Sequence, residues 1–346
     1  MISSAPAGAD APVLLPGLPA ARGPLSERLF ASLRAEPHGL TWIAAASDID
    51  DVEDLHLALY CCYELHYRGF AGVDPEWEWE PSLLAMRRHL ERRFLADLRA
   101  TVGPIDVDRD EVVARLWEMA TAGGGPSLSG WVASHATLDQ LREFAIHRSA
   151  YQLKEADPHT WAIPRLTGEA KAAMVAIQAD EYGSGAAARM HSSLFRETML
   201  ALGLEPDRSY LDQIPAVTLA TTNLISMLGL HRRWRGALVG HLALFEMTSI
   251  GPMARYAAAL RRLGVEEAGC QFYDVHVDAD QLHQHVAADG MVAGLLGDEP
   301  GLAEDVIFGA RALDAIEARF ARHLLSSWQA GRSSLRPAGM AVNPAA

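Results

Sequence analysis

The chain has 346 residues, 49% of them hydrophobic and 21% charged, enough apolar material for one large domain or two of ordinary size. Its formal charge of −14 excludes the broad basic surface that nucleic acid or an anionic membrane requires. With no run of 18 apolar residues and no basic-then-apolar leader, a soluble, cytoplasmic protein is expected.

Residues 1–24 are mostly Ala, Gly, Pro and Ser with little to bury, which predicts a disordered leader. Apolar residues then recur at helical spacing over 25–34, 55–68, 81–98 and 110–120, so residues 25–135 read as an N-terminal helical region. Cys61, Cys62 and Cys270 form neither a disulfide framework nor a zinc pattern, and the adjacent pair sits in an apolar run as packing residues. Glu64 and His66 are two apart and fall on different helix faces, which makes them structural. A breaker cluster at 69–75 ends that helix, and Trp77 and Trp79 are expected to anchor the following loop in the core. The Gly/Ser-rich stretch 123–127 marks a boundary region.

Beyond it, 139–149, 168–182, 186–203, 215–229, 233–250, 253–264, 272–288 and 301–325 all carry helical periodicity. No strand-like alternation and no fixed repeat competes, so the chain is all-α, with a bundle over 136–330 and a flexible tail over 331–346.

The last long helices hold polar residues where a core would not. His276, Asp280 and His283 fall at i, i+4 and i+7 and project from one stripe, two imidazoles and a carboxylate without thiolate, as suits iron, manganese or zinc. Glu246 interrupts the apolar run 237–247, and a buried carboxylate needs a cationic partner or a metal. His191 follows Asp180 by eleven residues and Glu181 by ten. Ideal helix geometry favours Asp180, but Gly183 and Gly185 could allow a bulge that re-aims Glu181, so both stay open. Glu155 lies just before Pro158 and could reach inward from a turn. Four segments delivering carboxylate or imidazole to one core are the usual construction of a dinuclear carboxylate-bridged site.

With these residues in view, the chain over about 140–325 resembles the haem-oxygenase-like di-metal oxidase family. Its pattern of Glu and His, then Glu, then HxxxDxxH is matched by Glu181 and His191, Glu246, and His276–Asp280–His283. The resemblance implies a haem-oxygenase-like helical fold that binds two irons and no haem, with O2 as cosubstrate and an external electron donor. Glu155 matches the additional carboxylate of the family's N-oxygenase branch. That branch oxidises an amine nitrogen, here an arylamine or guanidine-like group such as 2-aminoimidazole, through hydroxylamine to nitroso or nitro in specialised metabolism. It also implies a homodimer built through residues 25–135. One iron is expected on Glu155, Glu181 and His191, the other on His276, Asp280 and His283, with Glu246 bridging. His159, Trp161, Arg165 and Tyr182 lie close to ligands in sequence and are candidates for substrate contact. Two rival readings remain: a diiron desaturase or C–C-cleaving oxidase of an amino or fatty acid, and a non-catalytic iron-binding protein. Seven polar ligands would line a porphyrin pocket poorly, which weighs against a true haem oxygenase.

Overall fold

The computed structural model describes residues 15–41, 51–122 and 127–337, and among them every regular element is helical. The helices are α1 (Pro24–Leu33), α2 (Val52–Glu64), α3 (Pro81–Val102), α4 (Val112–Thr121), α5 (Leu128–His135), α6 (Leu138–Gln152), α7 (Asp157–Thr160), α8 (Gly168–Glu181), α9 (His191–Ala201), α10 (Ala216–Leu230), α11 (Arg235–Arg262), α12 (Glu267–His285), α13 (Ala293–Asp298) and α14 (Ala303–Gln329). Several starts are written in the sequence. Pro81 opens α3 behind the Glu80 side chain, which accepts from the Leu83 amide at 2.7 Å. Thr137 and Gln140 form a reciprocal capping box at the start of α6.

The bundle is built around α11, which packs against α12 on one side and α14 on another, while α12 also packs on α9. Two glycines let α11 and α14 cross closely: a β-carbon at Gly240 would lie 1.9 Å from the Val306 carbonyl oxygen, and one at Gly309 would lie 1.8 Å from that of Ala237. The periodicity predicts two helices, 233–250 and 253–264, with a break at Gly251-Pro252; the structure has one. Pro252 removes a single backbone donor, and the burial of Met253, Tyr256, Ala257 and Leu260 beyond it outweighs that loss. At the end of α12 the chain passes through a π-helical turn, Val286–Val292, before α13.

The N-terminal helices share one core with the rest instead of forming a body apart. Lys154 meets Glu64, the Asn223 amide donates to the His56 carbonyl at 2.9 Å, and His231 lies 2.9 Å from Glu91. Cys61 and Cys62 are buried, Glu64 is paired, and His66 lies 3.0 Å from Glu78, all in structural roles. Trp77 is fully buried and donates to the Ala35 carbonyl, but Trp79 does not anchor the loop: it is 67% exposed and rests edge-on against His66.

Parts of both ends that the composition predicts to be disordered are held in place. Residues 15–23 are tied down: the Ala71 amide donates to the Pro16 carbonyl, the Ala20 amide to Asp212, and the Arg22 guanidinium to Glu53 and the Ile214 carbonyl. At the other end Ser334 bonds Glu143 and His147, and the Arg336 amide donates to the Gln213 carbonyl. The rest of the predicted leader (1–14), nearly all of the Gly/Ser stretch (123–126) and the end of the tail (338–346) lie outside the described residues.

Candidate metal centre

Four helices and one turn deliver seven side chains to one buried spot. On α12 the stripe read from spacing holds, since His276, Asp280 and His283 are all buried. Glu246 comes from the middle of α11 and is 4% exposed. Glu181 and His191 do not share a helix: α8 ends on Glu181, two short 3-10 turns follow, and α9 begins on His191. Gly183, Ser184 and Gly185 all take positive φ in this connection, and a β-carbon at Gly183 would sit 2.6 Å from the Arg189 carbonyl carbon. The tight reversal turns Glu181 inward and leaves Asp180 exposed, which decides between them against the helical extrapolation. Glu155 reaches in from the turn between α6 and α7, where the next residue, Ala156, is held at φ +74°.

Candidate ligand atoms of Glu155, Glu181, His191 and His276 all lie within 4.8 Å of one another, as do those of Glu181, Glu246 and His283. Glu181 belongs to both groups. This differs from the expected division in two respects: His276 stands with Glu155 and His191, not with His283, and the shared carboxylate is Glu181, not Glu246. The reason is the geometry of α12, whose two histidines are seven residues, about 10 Å, apart along the axis. Asp280 faces the second group, its Oδ1 3.5 Å from His283 Nδ1, while the Ser249 hydroxyl donates to its other oxygen.

Several of these atoms aim at common points, although His191 Nδ1 also lies 3.1 Å from His276 Nε2. Glu181 Oε2 lies 2.9 Å from His191 Nδ1 and His283 Nδ1 lies 3.4 Å from Glu246 Oε2, yet neither Glu181 Oε2 nor His283 Nδ1 has a hydrogen-bond partner. Glu155 Oε2 and Asp280 Oδ1 are likewise buried and unpaired. Such atoms cost about 1–3 kcal/mol each unless something satisfies them, and a pair of cations would satisfy all four. The outward faces of the imidazoles are fixed instead. His283 Nε2 lies 3.0 Å from Asp180 Oδ2, and His276 Nδ1 lies 2.6 Å from the Phe272 carbonyl oxygen, the backing by which metal-binding histidines are oriented. Asp180 is therefore part of the centre after all, one layer out.

Crowding so many ionisable groups together distorts their titration. Burial, reinforced by Glu181, pushes Glu155 well above the usual carboxylate range, and burial with Asp280 and Glu181 does the same to Glu246. Burial also works to raise Glu181, but His191 and the other imidazoles overcome it and hold that carboxyl at about 2. His283 loses to burial and gains more from Asp280 and Glu246, ending at about 11.

Among the four proposed substrate contacts, only His159 lines the central cavity, whose volume is about 10 Å3. Burial lowers it to about 4, so it is neutral, with Nε2 3.2 Å from His241 Nδ1. The other three are engaged elsewhere. The Arg165 guanidinium donates to the Gly229 and Leu230 carbonyls and so caps α10, while the Tyr182 hydroxyl is bonded to Thr160 and Asp157. Trp161 lies over Gly229. Of the four, then, only His159 faces the cavity between the candidate ligands. Tyr151, Gln178 and Phe245 line the cavity and carried no signal in sequence.

A sequence profile described as iron-containing redox enzyme, of haem-oxygenase type, matches residues 142–318, a little over half of the chain. The chain is also 26% identical over 203 residues to the nitrosourea synthase of Streptomyces achromogenes subsp. streptozoticus. That alignment covers 57% of this chain and 43% of the relative, so the chain spans less than half the length of the relative it matches.

Proposed function

This chain belongs to the family of iron-containing redox enzymes, with its haem-oxygenase-like all-α fold, and from that premise we propose that it is a non-haem diiron oxygenase that uses O2 to oxidise an amine nitrogen. The observation that carries the reading is the pair of buried ligand groups joined through Glu181. One iron would be held by Glu155, Glu181, His191 and His276, the other by Glu181, Glu246 and His283 with Asp280 beside it. A His/carboxylate set without thiolate suits iron. When bound, the pair supplies the electrons that activate O2, replenished by an external donor.

The chain's own residues prepare the site. Asp180 and the Phe272 carbonyl set the rings of His283 and His276 so that Nδ1 of the first and Nε2 of the second point inward. Ser249 fixes Asp280. The apolar walls from Leu242 and Phe245 leave so little free volume that bulk water is kept out. Two features support nitrogen as the atom oxidised. Glu155, the carboxylate by which the N-oxygenase branch is distinguished, lies within the first ligand group. The relative's name, nitrosourea synthase, also points to oxidised nitrogen. An arylamine or guanidine-like substrate, a product at the hydroxylamine, nitroso or nitro level, and a homodimer complete the reading.

The test is to load the protein anaerobically with Fe(II), admit 18O2 with a panel of small amines and guanidines, and read the products by mass spectrometry. One or more 18O atoms on nitrogen is expected. Loss of hydrogen or a broken C–C bond in place of added oxygen would make it the desaturase-type oxidase, and ferric protein with every amine unchanged would make it an iron-binding protein.

A further inference from the structure

The central cavity is too small for any organic substrate, so the reacting molecule has to approach from a neighbouring space. One such space is backed by the same stretches of chain: a cleft of about 310 Å3 lined by sequence neighbours of the residues that line the centre. At the end of α6, Leu153 and Lys154 line the cleft where Tyr151 and Glu155 line the centre. At the start of α9, Met190 and Ser192 line it on either side of the candidate ligand His191.

The cleft is basic within a chain that is acidic overall. Arg68, Lys154, Arg196 and Arg208 line it against only Glu64 and Asp207. Both acids are taken: Glu64 lies 2.5 Å from Lys154 Nζ, and Asp207 is gripped by both terminal nitrogens of Arg196. Arg68 and Arg208 form no ion pair among the described residues, and both are exposed at the rim. Lys154 is one of two lysines in the sequence, and it is buried at this wall with Nζ 4.7 and 4.6 Å from the ring centroids of Tyr60 and Tyr67. Glu64 balances that charge, so the net positive charge of the cleft lies on Arg68 and Arg208 at its rim. Tyr60, Phe70 and Tyr210 supply flat apolar surface between the charges.

We propose that this cleft is the substrate vestibule of the metal centre and that it selects an amine or guanidine that also carries a carboxylate, bound by the spare guanidinium groups of Arg68 and Arg208. The amine rests on the N-oxygenase reading; the carboxylate follows from the charge of the cleft.

The experiment is calorimetry on the full-length, Fe(II)-loaded protein without O2, using two matched pairs of probes. These are 4-aminobenzoate with 4-aminobenzamide, and 4-guanidinobutyrate with 4-guanidinobutyramide. At least one acid is expected to bind ten or more times more tightly than its amide. Combining Arg68→Gln with Arg208→Gln should erase that preference while leaving the amide's affinity and the iron content as they were. If neither pair shows a preference for the acid, whether or not its members bind, or if the preference survives in the double variant, the proposal is wrong. Admitting O2 afterwards separates the two claims. Tight binding of an acid without oxygen on nitrogen would overturn the N-oxygenase reading alone, and oxidation of amides and acids alike would overturn the vestibule alone.

Discussion

Glu181 is the residue on which the centre turns, because it is the one side chain within reach of both ligand groups. Replacing it should therefore do more damage than replacing a residue that serves one group. Glu181→Ala is expected to bind less than one iron per chain, whereas Glu155→Ala and His283→Ala should each keep about one, as read by colorimetric iron assay after anaerobic loading and desalting. Equal losses in all three would mean that Glu181 is not shared. Asp180 has a subtler part. Its hydrogen bond orients His283 from outside, so Asp180→Asn should keep both irons but weaken binding, within the roughly 10–100-fold range typical of such partners. The sequence supplied Glu246 and the three α12 residues directly, since a carboxylate in an apolar run and an i, i+4, i+7 stripe are local signals. It could not separate Asp180 from Glu181, because that choice depends on how the chain turns after the helix ends.

That turn is a property of the α8–α9 connection, and α11 with α14 shows a second kind of glycine dependence. Gly183 is needed for its positive φ and for the absence of a side chain against Arg189 and Met190. Gly183→Ala is expected to cost about 1–3 kcal/mol and, by shifting His191 relative to Glu181, to lower iron content as well. Gly309→Ala should cost at least as much, since a methyl 1.8 Å from the Ala237 carbonyl oxygen would force two long helices apart. The crossing lies 9 residues before Glu246 on α11, so the loss there should appear mainly in thermal unfolding, with iron content per folded chain little changed. Denaturant or thermal melts alongside iron assays distinguish the two. Gly183 is flagged in the sequence as a place where the chain could turn, whereas Gly309 sits inside a helical pattern and only the neighbouring chain gives it its role.

For the whole molecule, the metal centre links ion uptake to proton release. Without metal, burial raises Glu155 and Glu246, which favours their protonated forms, and His283, raised to about 11, is an imidazolium at neutral pH. His283 has to lose its proton to bind a cation through Nδ1, so loading should release protons and tighten as pH rises through neutrality, and it should weaken as pH falls. Calorimetry in two buffers of different ionisation enthalpy gives the proton count; a value of zero would contradict the assignment. Loading should also raise the melting temperature by several degrees, because four buried unpaired atoms gain partners. No helix among the described residues is long and apolar enough to cross a membrane. The all-helical class and the kinds of residue that meet in the core were determined by the sequence alone, since periodicity and misplaced polarity are carried by near neighbours along the chain. Which carboxylate is shared, which histidine joins which group, and that the N-terminal helices join one core were decided only by tertiary structure. Those outcomes depend on distances between segments more than a hundred residues apart, and nothing in local spacing fixes such distances.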